Sequence, residues 1–286
     1  MGFESLIMID NIQTIYPSSD FLKKYIYCYY IIDSGDYTFK SVHYSFPHVF
    51  NSISIYNDVR HNMEFAKIIK EKDSSKCLLQ GKRLEPVLVE LKGKVRRITI
   101  LFKEFGLNHF IEKPLGEIIR TETVVFKEWN SEALDKTVCQ FFYNKNLAEG
   151  INLLEDFLRS VYLPFELLAL EKSLVYLKDF DKEKSVEEIA NLIDMPLRTF
   201  NRLFKLHLGV SPSIYRQIAR FRHSLEDKIF EEKFRTLTEI VYNSNYYDQA
   251  YFNKLYKQLT GSNPRKFFNA VEKIGDTKLV FQYLDK

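Results

Sequence analysis

The sequence predicts an α+β protein with a β-rich N-terminal half and an all-α C-terminal half, on three observations. Between about Tyr25 and Trp129 the apolar residues fall in short runs rich in Tyr, Ile, Val and Phe. After residue 130 they fall at helical spacing, and within that second half one helical surface occurs twice. A length of 286 residues suits two domains better than one, and 45% hydrophobic and 15% aromatic content gives each a packed core.

The N-terminal runs are Tyr25 to Ile32, Tyr37 to Phe46, Phe50 to Tyr56, Pro86 to Leu91, Val95 to Phe102 and Thr121 to Phe126. Turn-forming Asp33–Asp36 and Lys92–Lys94 separate them, so a mainly antiparallel sheet is expected, as a barrel or cupin-like domain with flanking helices. Those helices are Ser131 to Phe142 and Leu147 to Val161; on the second, Leu153, Leu154, Phe157 and Leu158 suit either packing on the sheet or a dimer contact. Leu163-Pro164 breaks the chain, which places a sensor or dimerisation domain at 1–163 and a second domain at 164–286, opening with a helix from about Phe165 to Lys178. The aromatic excess in Tyr25, Tyr27, Tyr29, Tyr30, Tyr44, Phe46, Phe50 and Tyr56 either fills the sheet interior or lines an apolar ligand pocket.

The repeat begins at Ser185-Val-Glu-Glu188 and again at Thr236-Leu-Thr-Glu239, two capping boxes 51 residues apart. Each short helix meets a turn at Asp194-Met195 or Asn245-Tyr246, where Asp and Asn tolerate a left-handed backbone. A second helix starts near Pro196 or after the N-cap Asp248, and ends at Gly209-Val-Ser-Pro212 or Gly261-Ser-Asn-Pro264. Helix-turn-helix units are thus expected over about 185–208 and 236–260, joined by a rigid linker helix over about 212–230. In the second helix of each, Arg198, Asn201, Arg202 and Lys205, then Ala250, Asn253, Lys254 and Lys257, share one face at i, i+3, i+4, i+7 spacing. Phe200, Leu203 and Phe204, or Phe252, Leu255 and Tyr256, back them as core.

The net charge of +3 conceals an uneven distribution. Between Pro196 and Leu225 stand Arg198, Arg202, Lys205, Arg216, Arg220 and Arg222 with no acid, and between Gln249 and Val271 stand Lys254, Lys257, Arg265 and Lys266, again with none. Two basic faces on a repeated unit suit two neighbouring stretches of DNA.

Residues 165 to 270 resemble the DNA-binding domain of the AraC/XylS family of bacterial transcription regulators. Thr236-Leu-Thr-Glu-Ile-Val followed by Tyr246, Asp248-Gln249, Phe252, Tyr256, Gly261, Pro264 and Phe267 carries that resemblance. It implies that the second helix of each unit enters the major groove, with Arg198, Asn201 and Arg202, then Gln249, Asn253 and Lys254, facing bases. Arg198 and Arg202 suit guanine O6 and N7, and Asn201, Gln249 and Asn253 suit adenine; Lys205, Arg216 and Lys257 are expected on phosphate. The chain departs from the family pattern at Asp194 and Asn245 (usually Gly), Pro196 (usually Ser), and Val241 and Ser224 (usually Ala). Pro86 through Phe105 to Pro114 is similar to a sensory-type domain of some members.

The expected partners are duplex DNA and, as candidates, RNA polymerase, a small effector and a second copy of the chain. Cys28, Cys77 and Cys139 show neither disulfide nor zinc spacing, no stretch reaches membrane-span length, and the start lacks a signal-peptide pattern, so a cytoplasmic location is expected. Two other readings compete: a metal-dependent enzyme on a cupin-like barrel with His43, His48, His61 and Glu64 as ligands, and a protein-interaction module. Against the first, His43 and His48 alternate to opposite strand faces and no H-x-H pair occurs; against the second stand the acid-free basic stretches. No Gly-rich phosphate loop or Ser-His-Asp order is visible, so no enzyme, metal or cofactor is expected.

Overall fold

The Val-, Ile- and Tyr-rich runs become strands of two antiparallel sheets. The computed structural model describes residues 12–34, 37–57, 76–129, 131–144, 146–230, 236–274 and 279–284. The strands are β1 (Ile12–Ile15), β2 (Ile26–Asp33), β3 (Lys40–Ser45), β4 (Asn51–Tyr56), β5 (Cys77–Gln80), β6 (Val87–Lys92), β7 (Arg96–Phe102), β8 (Thr123–Val125), β9 (Glu272–Ile274) and β10 (Leu279–Tyr283). One sheet has six strands in the order β1-β2-β7-β4-β5-β8, and the other four in the order β6-β3-β10-β9.

The first helices are α1 (Leu115–Ile118), α2 (Glu132–Tyr143) and α3 (Leu147–Ser160). Ile53, Ile55, Ile98 and Ile100 on one face of the large sheet bury against Leu134 and Val138 of α2 and Leu154, Phe157 and Leu158 of α3. On the opposite face Cys28, Tyr30 and Leu101 meet Ile274, Leu279 and Phe281 of the small sheet. Central β4 is therefore buried along its whole length, and the alternation expected of a half-solvated strand is lost.

Three expectations are corrected. The strands form two stacked open sheets and not a closed barrel. The C-terminal half is not all-α: β10 pairs with β3, Phe281 opposite Ser45, so the chain's last described segment completes an N-terminal sheet. And α3 spends Leu154, Phe157 and Leu158 on the sheet, which removes that stripe as a dimer surface.

The remaining helices are α4 (Leu168–Leu177), α5 (Val186–Leu192), α6 (Leu197–Leu208), α7 (Pro212–Ile229), α8 (Leu237–Asn243), α9 (Gln249–Thr260) and α10 (Pro264–Ala270). They make two cores, one around Phe200, Phe204, Leu208 and Tyr215, the other around Phe221, Phe252, Tyr256 and Phe267. Each core continues into the N-terminal half, the first through Val49 and Phe105, the second through Phe46, whose ring lies 4.9 Å from that of Phe267.

Candidate nucleic-acid interface

Both reading helices are set up by the same local chemistry. At the start of α5 the Glu188 amide donates to Ser185 Oγ at 3.1 Å, and the Ser185 amide donates back to the Glu188 carboxylate at 2.6 Å. At α8 the same exchange joins Glu239 and Thr236 at 3.2 and 3.1 Å. The chain then turns on Asp194 at φ 53° and Asn245 at φ 51°, both in the left-handed region expected of them. Gly209 at φ 82° and Gly261 at φ 74° close α6 and α9, and Ser211 and Asn263 cap the helices that follow. The starts of the two reading helices differ. Asp248 accepts the Tyr251 amide at 2.6 Å, whereas Pro196 occupies the N-cap of α6, outside the helix, with no side-chain cap.

With Phe200, Phe204 and Leu208 buried beneath α6, its opposite face presents Arg198, Arg202 and Lys205 to solvent. Asn201 shares that face half-buried, its Nδ2 donating to the Leu197 carbonyl at 3.0 Å, which leaves its oxygen and one amide hydrogen to offer. On α9, Gln249, Ala250, Asn253, Lys254 and Lys257 are exposed above buried Phe252, Leu255 and Tyr256.

A helix-turn-helix domain family model matches residues 189–270, from α5 to the end of α10. The HTH-type transcriptional activator RhaS of Enterobacter sp. (strain 638) is 28% identical over 98 residues, a match spanning 34% of this chain and 34% of that protein. The chain carries an AraC/XylS-type double helix-turn-helix domain. Two solved structures of ToxT from Vibrio cholerae cover 91% of the chain at 13% and 12% identity, with TM-scores of 0.41 and 0.43 and coverage of 97% and 98% of their own lengths.

Within the AraC/XylS-type domain the acid-free stretch is less cationic at the surface than its sequence suggests. Arg216, expected on phosphate, instead donates to Glu183 at 3.1 Å and to the Lys184 carbonyl at 2.6 Å, with only 13% of its side chain exposed. Glu183 also pairs with Arg220, so an acid outside the stretch neutralises two of its cations. Arg222 is buried against the N-terminal half. The cations left on the first face are Arg198, Arg202 and Lys205, all on α6.

Two features carry no clear sequence signal. Ser224, a departure from the family's Ala, donates to the Phe221 carbonyl at 2.9 Å and accepts from the buried phenols of Tyr246 and Tyr256 at 3.0 and 2.8 Å, tying α7 to the turn and to the second helix of the second unit. A cavity of about 360 Å3 opens between the halves, walled by Tyr27, Phe50, Lys103, Glu104, Phe180 and Arg222 among others. The N-terminal aromatics thus divide: Tyr29 and Tyr56 are buried packing, while Tyr27 and Phe50 face the cavity.

The two described histidines of the metal reading, His43 and His48, are each engaged in local contacts. His43, on β3, sits beside Ser41 Oγ, and burial with the nearby Arg97 charge holds its imidazole down to about 3. His48 lies beyond the strand, accepts the Phe50 amide at 3.1 Å and stacks on that ring. His61 and Glu64 fall outside the described residues, among which no cluster of three or more metal-ligating side chains occurs.

Proposed function

We propose that the protein is a sequence-specific DNA-binding transcription regulator that reads two adjacent major-groove segments. The observation that carries this is the duplication: two helices with matched caps and turns each present polar and cationic side chains away from a buried apolar stripe. Arg198, Asn201 and Arg202 are the base-contacting residues of the first helix, and Gln249, Asn253 and Lys254 those of the second. Lys205 and Lys257 take phosphate; Arg216 leaves that set because Glu183 holds it. The likeness of this domain to an activator's supports activation as the direction of control.

A small effector in the cavity between the halves is the second part of the proposal. The cavity touches the N-terminal strands and the α7 linker at once, so its occupant contacts both domains. No described helix is long and apolar enough to cross a membrane.

Selection of bound sequences from a random duplex library tests the reading. Winners with two fixed patches about one helical turn apart, roughly 34 Å, are expected. They should be preferred by about 10³-fold or more over scrambled duplex, with affinity falling as salt rises. A pool that stays random at every salt concentration, with and without cell extract as a source of effector, would overturn it.

A further inference from the structure

The C-terminal end of α6 is held by the other half of the molecule. A helix ends with carbonyls that lack donors, and its dipole places partial negative charge there. Lys82, in the segment after β5, donates from Nζ to the Leu208 carbonyl at 3.3 Å and to Asn51 Oδ1 at 3.1 Å. Asn108 donates from Nδ2 to the His207 carbonyl at 3.0 Å and to the Phe105 carbonyl at 3.2 Å, and its Oδ1 lies 3.4 Å from His207 Nδ1. Gly116 of α1 backs onto the same turn: a Cβ there would come to 3.0 Å from the Leu206 carbonyl oxygen and 3.1 Å from that of Lys205.

The equivalent end of α9 is supported differently. The contacts there are apolar, with Pro86 Cγ 3.6 Å from where a Gly261 Cβ would stand and Phe46 against Phe267. Polar support for α9 comes from within its own domain, through Ser224 and the two phenols. Among the described residues, hydrogen bonds from the N-terminal half thus grip the end of α6, while the contacts from that half at the end of α9 are apolar.

We propose that Lys82 and Asn108 are positioning residues that clamp the C-terminal end of α6 to the N-terminal domain, so that this domain sets the direction in which Arg198, Asn201 and Arg202 point. The link to bases rests on the DNA-reading function proposed above; the clamp itself does not. The Lys82 ammonium is fully buried, and desolvation brings it down to about 7 from 10.5 against the opposing field of Glu104. Glu104 is itself held by Lys178 just past the end of α4 and by Tyr215 of α7, and the neighbouring Arg83 turns away to the Ser45 and Glu85 carbonyls. The sign follows from proton counting. Between about 7 and 10.5 the docked state binds fewer protons than an undocked one with Lys82 in water, so docking strengthens as pH rises through about 7 and is weakest below it.

Amide hydrogen exchange on the full chain, corrected for intrinsic rates, reads the clamp at residues 205–209 against 257–261 as an internal control. Wild-type protection at the end of α6 should rise by several-fold to about tenfold from pH 6 to pH 8, a tenfold change being one unit of proton linkage. Lys82→Met should reduce that rise to the part left by His207, whose imidazole is held below its ordinary range by burial and the Arg202 charge, and Asn108→Ala should lower α6 protection at both pH values while leaving 257–261 unchanged. Unaltered α6 protection in both variants, or equal loss at both helices, would overturn the proposal. Duplex binding by the same proteins separates the two readings. Variants that lose base preference only in the half read by α6 support the clamp's role, and a wild type without base preference removes the DNA reading while the exchange result still decides the clamp.

Discussion

Arg202 and Lys257 stand on equivalent faces of the two reading helices, both exposed, yet their chemistry predicts different losses. Arg202 offers a planar fork to guanine, so Arg202→Ala should cost about 1–3 kcal/mol on the preferred duplex and relax preference at one base pair. Lys257 offers a point charge to phosphate, so Lys257→Ala should weaken all duplexes alike and reduce the salt slope by about one. Titrations of matched and single-substituted duplexes across salt concentrations check both, and a uniform loss for Arg202→Ala would reassign it to phosphate. Ser224 is a residue-scale prediction about stability. Its hydroxyl spends one hydrogen and two lone pairs on Phe221, Tyr246 and Tyr256, so Ser224→Ala strands buried phenol donors at a cost of about 1–3 kcal/mol in urea unfolding. An unshifted midpoint would show that the phenols satisfy one another.

At the scale of elements, the capping boxes fix where each helix-turn-helix unit begins. Thr236→Ala removes the acceptor for the Glu239 amide and should cost about 1 kcal/mol, read as a lower thermal midpoint, with Thr236→Ser restoring it. These boundaries were legible because caps, left-handed turns and Gly-Pro punctuation are local: Ser185, Asp194, Gly209 and Pro212 act through neighbours a few residues away. The reading faces were legible for the same reason, since helical spacing alone sorts Arg198 and Arg202 from Phe200 and Phe204. What escaped is set by partners far along the chain. Arg216 reads as a free cation until Glu183, 33 residues earlier, takes it. Strands β5 and β10 are too short to announce themselves and exist because β4 and β3 offer edges to pair with. The barrel failed on the same ground, closure being a matter of which edges meet.

At the scale of the whole molecule, the return of β9 and β10 to the N-terminal sheet couples two domains that the sequence presents as successive. The small sheet takes β3 and β6 from one end of the chain and β9 and β10 from the other, and Phe281 and Leu279 fill the gap between the sheets. Neither half therefore completes its core alone, and the protein is expected to unfold in one cooperative step. Trp129 reports on the N-terminal half: it is the one tryptophan of the sequence, buried in the core beneath the large sheet, its indole donating to the Phe110 carbonyl at 2.7 Å. Far-ultraviolet dichroism reports mainly on the helices of the C-terminal half. Coincident urea transitions by the two probes are expected for the full chain. Removal of residues 271–286 should separate them, the tryptophan transition moving further to lower denaturant because the small sheet loses two of its four strands, whereas the helical cores lose only Val271 and Val280. Transitions that already differ in the full chain would show that the shared sheet does not bind the halves into one unit.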